Sequence, residues 1–304
     1  MTRPLIATND LRKSFGNIEA LDGVDLEIPT GVTGLVGANG AGKTTLIRLL
    51  LGLTKPTGGG VSVFGVPVKS DPVALRARIG YMPEGACLPA DQTAADFVAF
   101  AAELAGIPAA DSRRRASETL FLVGLHEERF RYIGGFSTGM QQRVKLAQSI
   151  VHDPELVLLD EPASGLDPQG RDQMLELISR LDDFDINVLF SSHILDDIEQ
   201  TCEWVVMLDQ GKVIRSSPLE PATSGDEISV EVFGSSDALA AALEAQGVTV
   251  TRQSSIVTVR SNEADVYNLV LAALVSTSTP VRRMGASLMT LEDQFLAASE
   301  VHNE

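Results

Sequence analysis

Glycines, a lysine and two hydroxyl side chains are closely spaced in residues 37–45, which read GANGAGKTT between two apolar stretches. The glycines allow the backbone to turn its N–H groups around phosphate oxygens, while Lys43 and the Thr44 hydroxyl can serve β- and γ-phosphates and Mg²⁺. The order of apolar strand, glycine-rich loop and helix favours a nucleotide-binding loop over a glycine-rich turn without ligand. Its predicted binding residues are Gly37, Asn39, Gly40, Gly42, Lys43, Thr44 and Thr45.

Two carboxylates follow the apolar run LVLL at residues 156–159. Such a run is typical of a buried parallel strand whose carboxyl end faces a ligand crevice. Since adjacent residues on an extended chain point in different directions, we expect Asp160 to hold the Mg²⁺ shell and Glu161 to orient and deprotonate an attacking water. The alternative is an ordinary acidic strand end before a proline turn.

A helix start with an unusual glycine lies in FSTGMQQR, residues 136–143. Ser137 is a good N-cap, and apolar residues recur at helical spacing until Asp153 and Pro154. Gly139 costs helix stability in the first turn, which is understandable if an anionic ligand must approach the backbone N–H groups. The alternative is a plain capped helix with a chance glycine.

Together these stretches resemble the motifs of the ATP-binding cassette (ABC) family. GANGAGKTT resembles its Walker A loop, LVLLDE its Walker B strand, and FSTGMQQR its signature, usually written LSGGQ. In that family the signature of one subunit covers the γ-phosphate held by the Walker A loop of another, so two ATP molecules are enclosed in a head-to-tail dimer. The resemblance therefore implies phosphate contacts for Ser137 and Gly139, although Phe136, Thr138 and Met140 depart from the commonest form.

The resemblance also assigns roles to four scattered residues. Phe15 matches the aromatic residue that stacks on adenine, and Glu84 replaces the glutamine of the Q-loop, where its carboxylate can still face Mg²⁺. Asp167 matches the D-loop along the dimer seam. His193 matches the switch histidine, which contacts the γ-phosphate and helps to position Glu161. Outside this context, Phe15 would be a core or turn residue and His193 a solvated loop residue.

The expected fold class is α/β: a P-loop NTPase of the ABC type over residues 1–218, with a mixed-sheet core and a helical subdomain at about 85–155. The Ser- and Pro-rich passage 215–227 marks a domain boundary. Residues 226–304 follow the pattern strand, helix, strand, strand, helix, strand, which predicts a small α+β ferredoxin-like domain. This domain is either a packing or dimer-stabilising module or a regulatory, partner-binding one.

Composition narrows the classes of function. A formal charge of -17 over 304 residues argues against a nucleic-acid binder, whose affinity depends on clustered Lys and Arg. Two cysteines are too few for a disulfide scaffold. The sequence has no signal-peptide pattern and no apolar run of membrane-spanning length, so we expect a cytoplasmic protein.

The resemblance implies an ATPase that uses ATP and Mg²⁺ and acts as a homodimer. STGMQQR, Glu84 and the single cassette are most similar to the ATPase subunits of bacterial ABC-2-type exporters. We therefore expect a separate ABC-2-type transmembrane permease as partner, with membrane contact at the cytoplasmic face only through that permease. The alternative is a soluble, non-transport ABC ATPase, for example in cluster assembly.

Overall fold

The computed structural model describes residues 4–219, 227–234, 236–246, 248–253, 255–260 and 266–286. Contacts divide the chain into two compact units, one within Met1–Leu219 and one within Glu220–Leu296. Much of the predicted boundary passage, residues 220–226, lies outside the described residues, as do residues 287–304 of the predicted second domain.

The first unit alternates strands and helices. Its elements are β1 (Ile6–Phe15), β2 (Ile18–Ile28), β3 (Val32–Val36), α1 (Lys43–Leu50), β4 (Gly58–Val63), β5 (Val66–Pro67), α2 (Pro72–Arg76), β6 (Ile79–Met82), α3 (Ala94–Leu104), α4 (Ala109–Leu122), α5 (Thr138–Ile150), β7 (Leu156–Leu159), α6 (Pro168–Ser179), β8 (Asn187–Ser192), α7 (Leu195–Thr201), β9 (Trp204–Asp209) and β10 (Lys212–Pro218). Short 3₁₀ turns lie at Glu127–Phe130, Ile133–Gly135 and Asp182–Phe184.

Two sheets form the framework of this unit. An antiparallel sheet has the order β2-β1-β4-β5, and a six-stranded sheet has the order β10-β9-β3-β8-β7-β6. In the larger sheet the five strands from β9 to β6 are parallel, and β10 pairs antiparallel at the edge. The mixed sheet with flanking helices confirms the predicted fold class.

Apolar strands build the core of the larger sheet. Every residue of β3 and β7 is buried, as is β8 after Asn187. A parallel strand covered on both faces requires such continuous apolar runs, which is why these strands could be predicted. Helix α1 buries its Leu46, Ile47, Leu49 and Leu50 side chains in the core that contains Leu35, Leu158 and Leu189.

The carboxyl ends of four neighbouring parallel strands meet at one edge. The Cα register pairs Val36 with Ser192 and Met82 with Leu159, while Leu159 pairs with Phe190. The glycine-rich loop follows β3, the two carboxylates follow β7, and the loops with Glu84 and His193 follow β6 and β8. Ligands of open α/β sheets bind at this edge, so the topology gathers the predicted site residues there.

Three helices, α3, α4 and α5, lie between β6 and β7 in the sequence. Their facing residues form a packed apolar layer. Val98 and Ala102 of α3, Ala116 and Leu120 of α4, and Val144 of α5 are all buried. Thr93 caps α3 by accepting a hydrogen bond from the Asp96 N–H, 3.1 Å away. The signature helix α5 thus reaches the sheet edge from a separate helical layer.

The second unit contains β11 (Glu227–Val232), α8 (Asp237–Glu244), β12 (Thr249–Gln253), β13 (Ile256–Arg260), α9 (Val266–Thr277) and β14 (Val281–Ala286). Its antiparallel sheet has the order β12-β13-β11-β14, which confirms the ferredoxin-like prediction. Leu239, Leu243 and Val270 from the helices pack with Val230 and Val257 of the sheet. Across the described ranges of both units, no helix is long and apolar enough to cross a membrane.

Candidate active site

The glycine-rich loop leaves no space for side chains at two of its positions. A Cβ on Gly37 would lie 2.3 Å from the Leu208 carbonyl oxygen, and one on Gly42 would lie 2.6 Å from that of Ala20. Gly42 also has a φ of 107°, which side chains other than hydrogen rarely allow. Gly40 has space around it and lies at the exposed tip with Asn39.

Lys43 lies inside the loop with its side chain only 6% exposed. Its Nζ donates to the carbonyl oxygens of Gly37, at 2.6 Å, and Ala38, at 3.4 Å. The same nitrogen is 3.3 Å from Glu161 Oε1, an ion-pair distance without hydrogen-bond geometry. The predicted phosphate-binding cation therefore lies beside the predicted base.

Asp160 is fixed by two hydroxyl groups at the end of β7. Thr44 Oγ1 donates to its Oδ1 at 3.2 Å, and Ser191 Oγ donates to the same oxygen at 2.8 Å. Asp160 is only 1% exposed, and its Oδ2 is buried without a hydrogen-bond partner. A buried carboxylate oxygen without a donor is suited to a cation, and a carboxylate beside a hydroxyl is an oxygen set that Mg²⁺ accepts.

Glu161 is not extended, contrary to the expectation for adjacent carboxylates on a strand. The strand ends at Leu159, and Glu161 has a φ of 50°, in the left-handed region. Its N–H donates to Ser191 Oγ at 2.9 Å, which holds the turn in place. Backbone strain of this kind is tolerated where the surroundings enforce it and is common at functional sites. The turn lets both carboxylates serve one site through different partners.

His193 follows β8 and contacts the predicted base. Its Nδ1 lies 2.8 Å from Glu161 Oε2, while half of its side-chain surface stays exposed. Glu161 therefore has Lys43 at one carboxylate oxygen and His193 at the other. The arrangement can orient a carboxylate toward a water molecule next to a bound phosphate.

Glu84 does not join the other two predicted magnesium ligands. Glu84 is exposed, and among the described residues its carboxylate makes no hydrogen bond with Thr44 or Asp160. Instead, the backbone oxygen of Glu84 accepts a hydrogen bond from Lys145 Nζ of the signature helix, at 3.0 Å. Burial lowers the pKa of Lys145. The structure thus brings together two of the three predicted ligands.

The signature residues line a separate open groove. Ser137 Oγ caps α5 by accepting from the Met140 N–H at 3.3 Å. A Cβ added to Gly139 would meet only Leu166 Cδ2, at an ordinary van der Waals distance of 3.8 Å, so this position can accept a Cβ without a clash. The groove also contains Gly165 and Asp167 but none of the residues of the phosphate loop, the Walker B carboxylates or His193.

Of three further predicted binding residues, Asp167 lines the groove, whereas Phe15 and Thr45 lie outside both clusters of contacts. Asp167 caps α6, with its Oδ1 accepting from the Gly170 N–H at 3.1 Å. Phe15 is 50% exposed at the end of β1, with Lys13 Nζ 4.7 Å from its ring centroid. Thr45 is half-buried in the first turn of α1. The roles given to them by the resemblance remain predictions.

Sequence reasoning missed Ser191 and Lys145. Ser191 is fully buried and joins Asp160 to the Glu161 backbone, whereas Lys145 ties the signature helix to the Glu84 loop. A serine near a strand end is an ordinary residue in a sequence, so no signal identified Ser191. No sequence signal identified Lys145 either, because its neighbours at helical spacing, which include Gln141, Gln142 and Ser149, are polar.

Comparison with known proteins identifies the family. Residues 21–164 match the family model described as ABC transporter. The chain is 34% identical over 301 residues to the daunorubicin/doxorubicin resistance ATP-binding protein DrrA of Streptomyces peucetius, covering 96% of this chain and 91% of that protein. The chain belongs to the ABC transporter ATP-binding proteins. It is an ATP-binding ATPase subunit of that family, which confirms the predicted enzyme class.

Two further relatives match a smaller share of the chain. The bacitracin transport ATP-binding protein BcrA of Bacillus licheniformis is 38% identical over 71% of this chain and 70% of its own length. The methionine import ATP-binding protein MetN of Caulobacter vibrioides is 38% identical over 71% of this chain and 68% of its own length.

Among solved structures, a dimeric post-hydrolysis state of the ATP-binding cassette MJ0796, bound to ADP and Pi, is similar to this ABC ATPase. Its TM-score is 0.63, with 25% identity over 71% of this chain and 99% of that one.

Proposed function

We propose that this ABC ATPase powers an exporter of the ABC-2 type, through a separate membrane permease that holds it at the cytoplasmic face of the membrane. The observation that carries this proposal is the alignment with DrrA, a resistance protein, over 96% of the chain. The import protein MetN is 38% identical, compared with 34% for DrrA, but over only 71% of the chain. The cassette alone is thus common to import and resistance proteins, and the match through both units favours export.

The proposed catalytic unit is a head-to-tail homodimer. Thr138 and Gly139 begin α5, where no preceding helical turn accepts their N–H groups, and these groups border the open groove. A helix start with free N–H groups suits a phosphate anion. Since the groove contains none of the phosphate-loop residues of its own chain, we infer that a second copy supplies the ATP that it covers.

Within each ATP site the residues of the chain have separate roles in hydrolysis. The phosphate loop and Lys43 bind and orient the β- and γ-phosphates, and Glu161 takes the proton of the attacking water. His193 holds the Glu161 carboxylate in place. Thr44 and Asp160 would hold Mg²⁺, which when bound neutralises charge on the phosphates. Phosphoryl transfer requires mainly such positioning and charge neutralisation.

Purification in mild detergent tests the exporter assignment. The tagged chain should recover a polytopic membrane protein from membranes of its own host, and ATPase activity should accompany the complex. A second purification from the soluble fraction of the same cells serves as the control. Recovery of only soluble partners would contradict the exporter assignment and favour a non-transport ABC ATPase.

A further inference from the structure

Ser192 fixes the backbone on both sides of the switch histidine. Its Oγ accepts a hydrogen bond from the Ile194 N–H at 3.0 Å and donates one to Asp197 Oδ2 at 3.0 Å. Ser192 is only 4% exposed, so water does not compete for these bonds. The direction in which His193 leaves the sheet therefore depends on the position of Asp197.

Asp197 is itself a buried charge, only 4% exposed. Its second oxygen, Oδ1, accepts a hydrogen bond from Arg171 Nε of α6 at 2.5 Å. A buried carboxylate is costly unless it is paired and hydrogen-bonded, so Arg171 is the group that makes the position of Asp197 stable. Both carboxylate oxygens of Asp197 thus accept hydrogen bonds, one from α6 and one from Ser192 beside His193.

Arg171 connects this pair to the signature groove. The backbone N–H of Arg171 donates to the Asp167 carbonyl oxygen at 2.9 Å in the first turn of α6. The Asp167 side chain caps the same turn. Asp167 borders the groove that contains Ser137 and Gly139. A continuous series of contacts therefore runs from the groove through Arg171, Asp197 and Ser192 to His193 and Glu161.

We propose that Arg171 and Asp197 are positioning residues that hold His193 against Glu161 and make its placement depend on the groove residue Asp167. This inference rests on the proposed function, in which Glu161 is the base and the groove receives the ATP of a second copy. A ligand in the groove would then affect the Glu161 carboxylate of the same chain. The effect would pass through the first turn of α6 and the loop that carries His193.

Steady-state kinetics of Arg171→Met tests the positioning role. We expect kcat for ATP hydrolysis to fall about tenfold or more, while KM for ATP stays within about threefold, because the phosphate-binding residues are unchanged. Arg171→Lys keeps the charge next to Asp197 and should restore most of the lost rate. Arg114→Met, which removes an arginine from exposed ion pairs on α4, serves as the control and should retain the parent kcat.

The His193→Ala background distinguishes a positioning role from a general structural one. If Arg171 acts through His193, Arg171→Met should change kcat less than about twofold once His193 is absent. An equal loss of kcat in both backgrounds, or an unchanged kcat in the parent background, would overturn the proposal. The double variant Arg171→Met/Asp197→Asn removes the uncompensated buried charge and provides a folded chain if the single variant unfolds.

A spectroscopic readout keeps the test independent of turnover. The chain has only 4 histidines, so ¹⁵N-histidine labelling gives a simple spectrum in which His193 is assigned by its loss in His193→Ala. Arg171→Met should move the His193 Nδ1 signal toward that of an unbonded imidazole. An unmoved signal would overturn the inference, whereas absence of ATPase activity in the parent would contradict the proposed function and leave this result interpretable.

Discussion

Ser191 shows how one small side chain determines the geometry of the catalytic carboxylates. Its hydroxyl donates to Asp160 and accepts from the Glu161 N–H, so it uses both of its hydrogen-bonding directions within the site. The hydroxyl therefore stabilises the left-handed turn at Glu161 and the orientation of the proposed Mg²⁺ ligand at once. Neither contact could be inferred from the sequence, because β8 resembles any other buried strand.

Replacing Ser191 by Ala should lower kcat for ATP hydrolysis by about tenfold to a hundredfold, because the turn that presents Glu161 loses its acceptor. The free energy of unfolding should fall by about 1–3 kcal/mol, as one buried N–H is left unpaired. Steady-state kinetics and urea unfolding measure the two effects. Ser149→Ala, at another fully buried serine that donates to the Leu146 carbonyl oxygen, is the matched control. Equal kinetic losses in both variants would argue against a specific role.

Gly139 is open within its own chain, so a larger residue there tests the proposed dimer contact without disturbing the fold. We expect Gly139→Leu to leave ATP binding by the single chain within about threefold and to reduce ATP-induced dimerisation at least tenfold, because the side chain would occupy the groove. Nucleotide titration and light scattering measure the two effects. Gly60→Leu, at a position where an added Cβ has no neighbour within 4 Å, is the control, and normal dimerisation of the Gly139 variant would count against the geometry.

At the scale of elements, the pairing of β6 with β7 is supported by an ion pair where both strands begin. Arg78 Nε and Nη2 donate to the two oxygens of Glu155, at 2.6 and 2.7 Å. The hydrogen bond from Arg78 lowers the pKa of Glu155 from its ordinary value of 4.5. Since the folded-state pKa is depressed, the pair contributes stability above the unfolded-state pKa and loses it as the pH falls through the folded-state value.

Glu155→Gln should therefore destabilise the chain at pH 7, by less than about 1 kcal/mol because the pair is largely exposed. The difference from the parent should disappear as the pH falls through the depressed folded-state pKa, below which both states of the parent carry a protonated Glu155. Urea unfolding at several pH values measures this. A difference that persists unchanged at low pH would show that packing, and not charge, accounts for the effect.

The strands and helices could largely be predicted from the sequence. The pairing of the strands and the contacts between elements could not. The strands β3 and β7 and the start of α5 at Ser137 follow from apolar runs and a capping residue. The sequence does not reveal that β3 pairs with β8 and β9, because the partners are more than 150 residues away and any apolar strand could occupy the place. The contact of Lys145 with the Glu84 backbone escaped prediction because its acceptor is a main-chain carbonyl oxygen, which every residue type provides.

For the whole molecule, the site residues fall into two groups that do not meet within one chain. Lys43, Glu161 and His193 form one group at the sheet edge, and Ser137 and Gly139 border a groove without them. Only the resemblance to the ABC family predicted that division, because motif spacing cannot tell whether two phosphate-binding segments act in the same copy. The open groove beside Gly139, which contains no residue of the phosphate loop, gives that prediction a physical basis.

The central claim is that ATP joins two copies of the chain into a dimer in which Glu161 is the catalytic base. The mass of the Glu161→Gln variant in the presence of ATP tests this claim most directly. Replacing the proposed base by its amide should preserve ATP binding and stop hydrolysis, so that the closed state accumulates. Sedimentation of this variant with ATP should give a species of twice the chain mass that holds two ATP molecules, while ADP should leave single chains. A variant that binds ATP yet stays a single chain, or that hydrolyses ATP near the parent rate, would contradict the account.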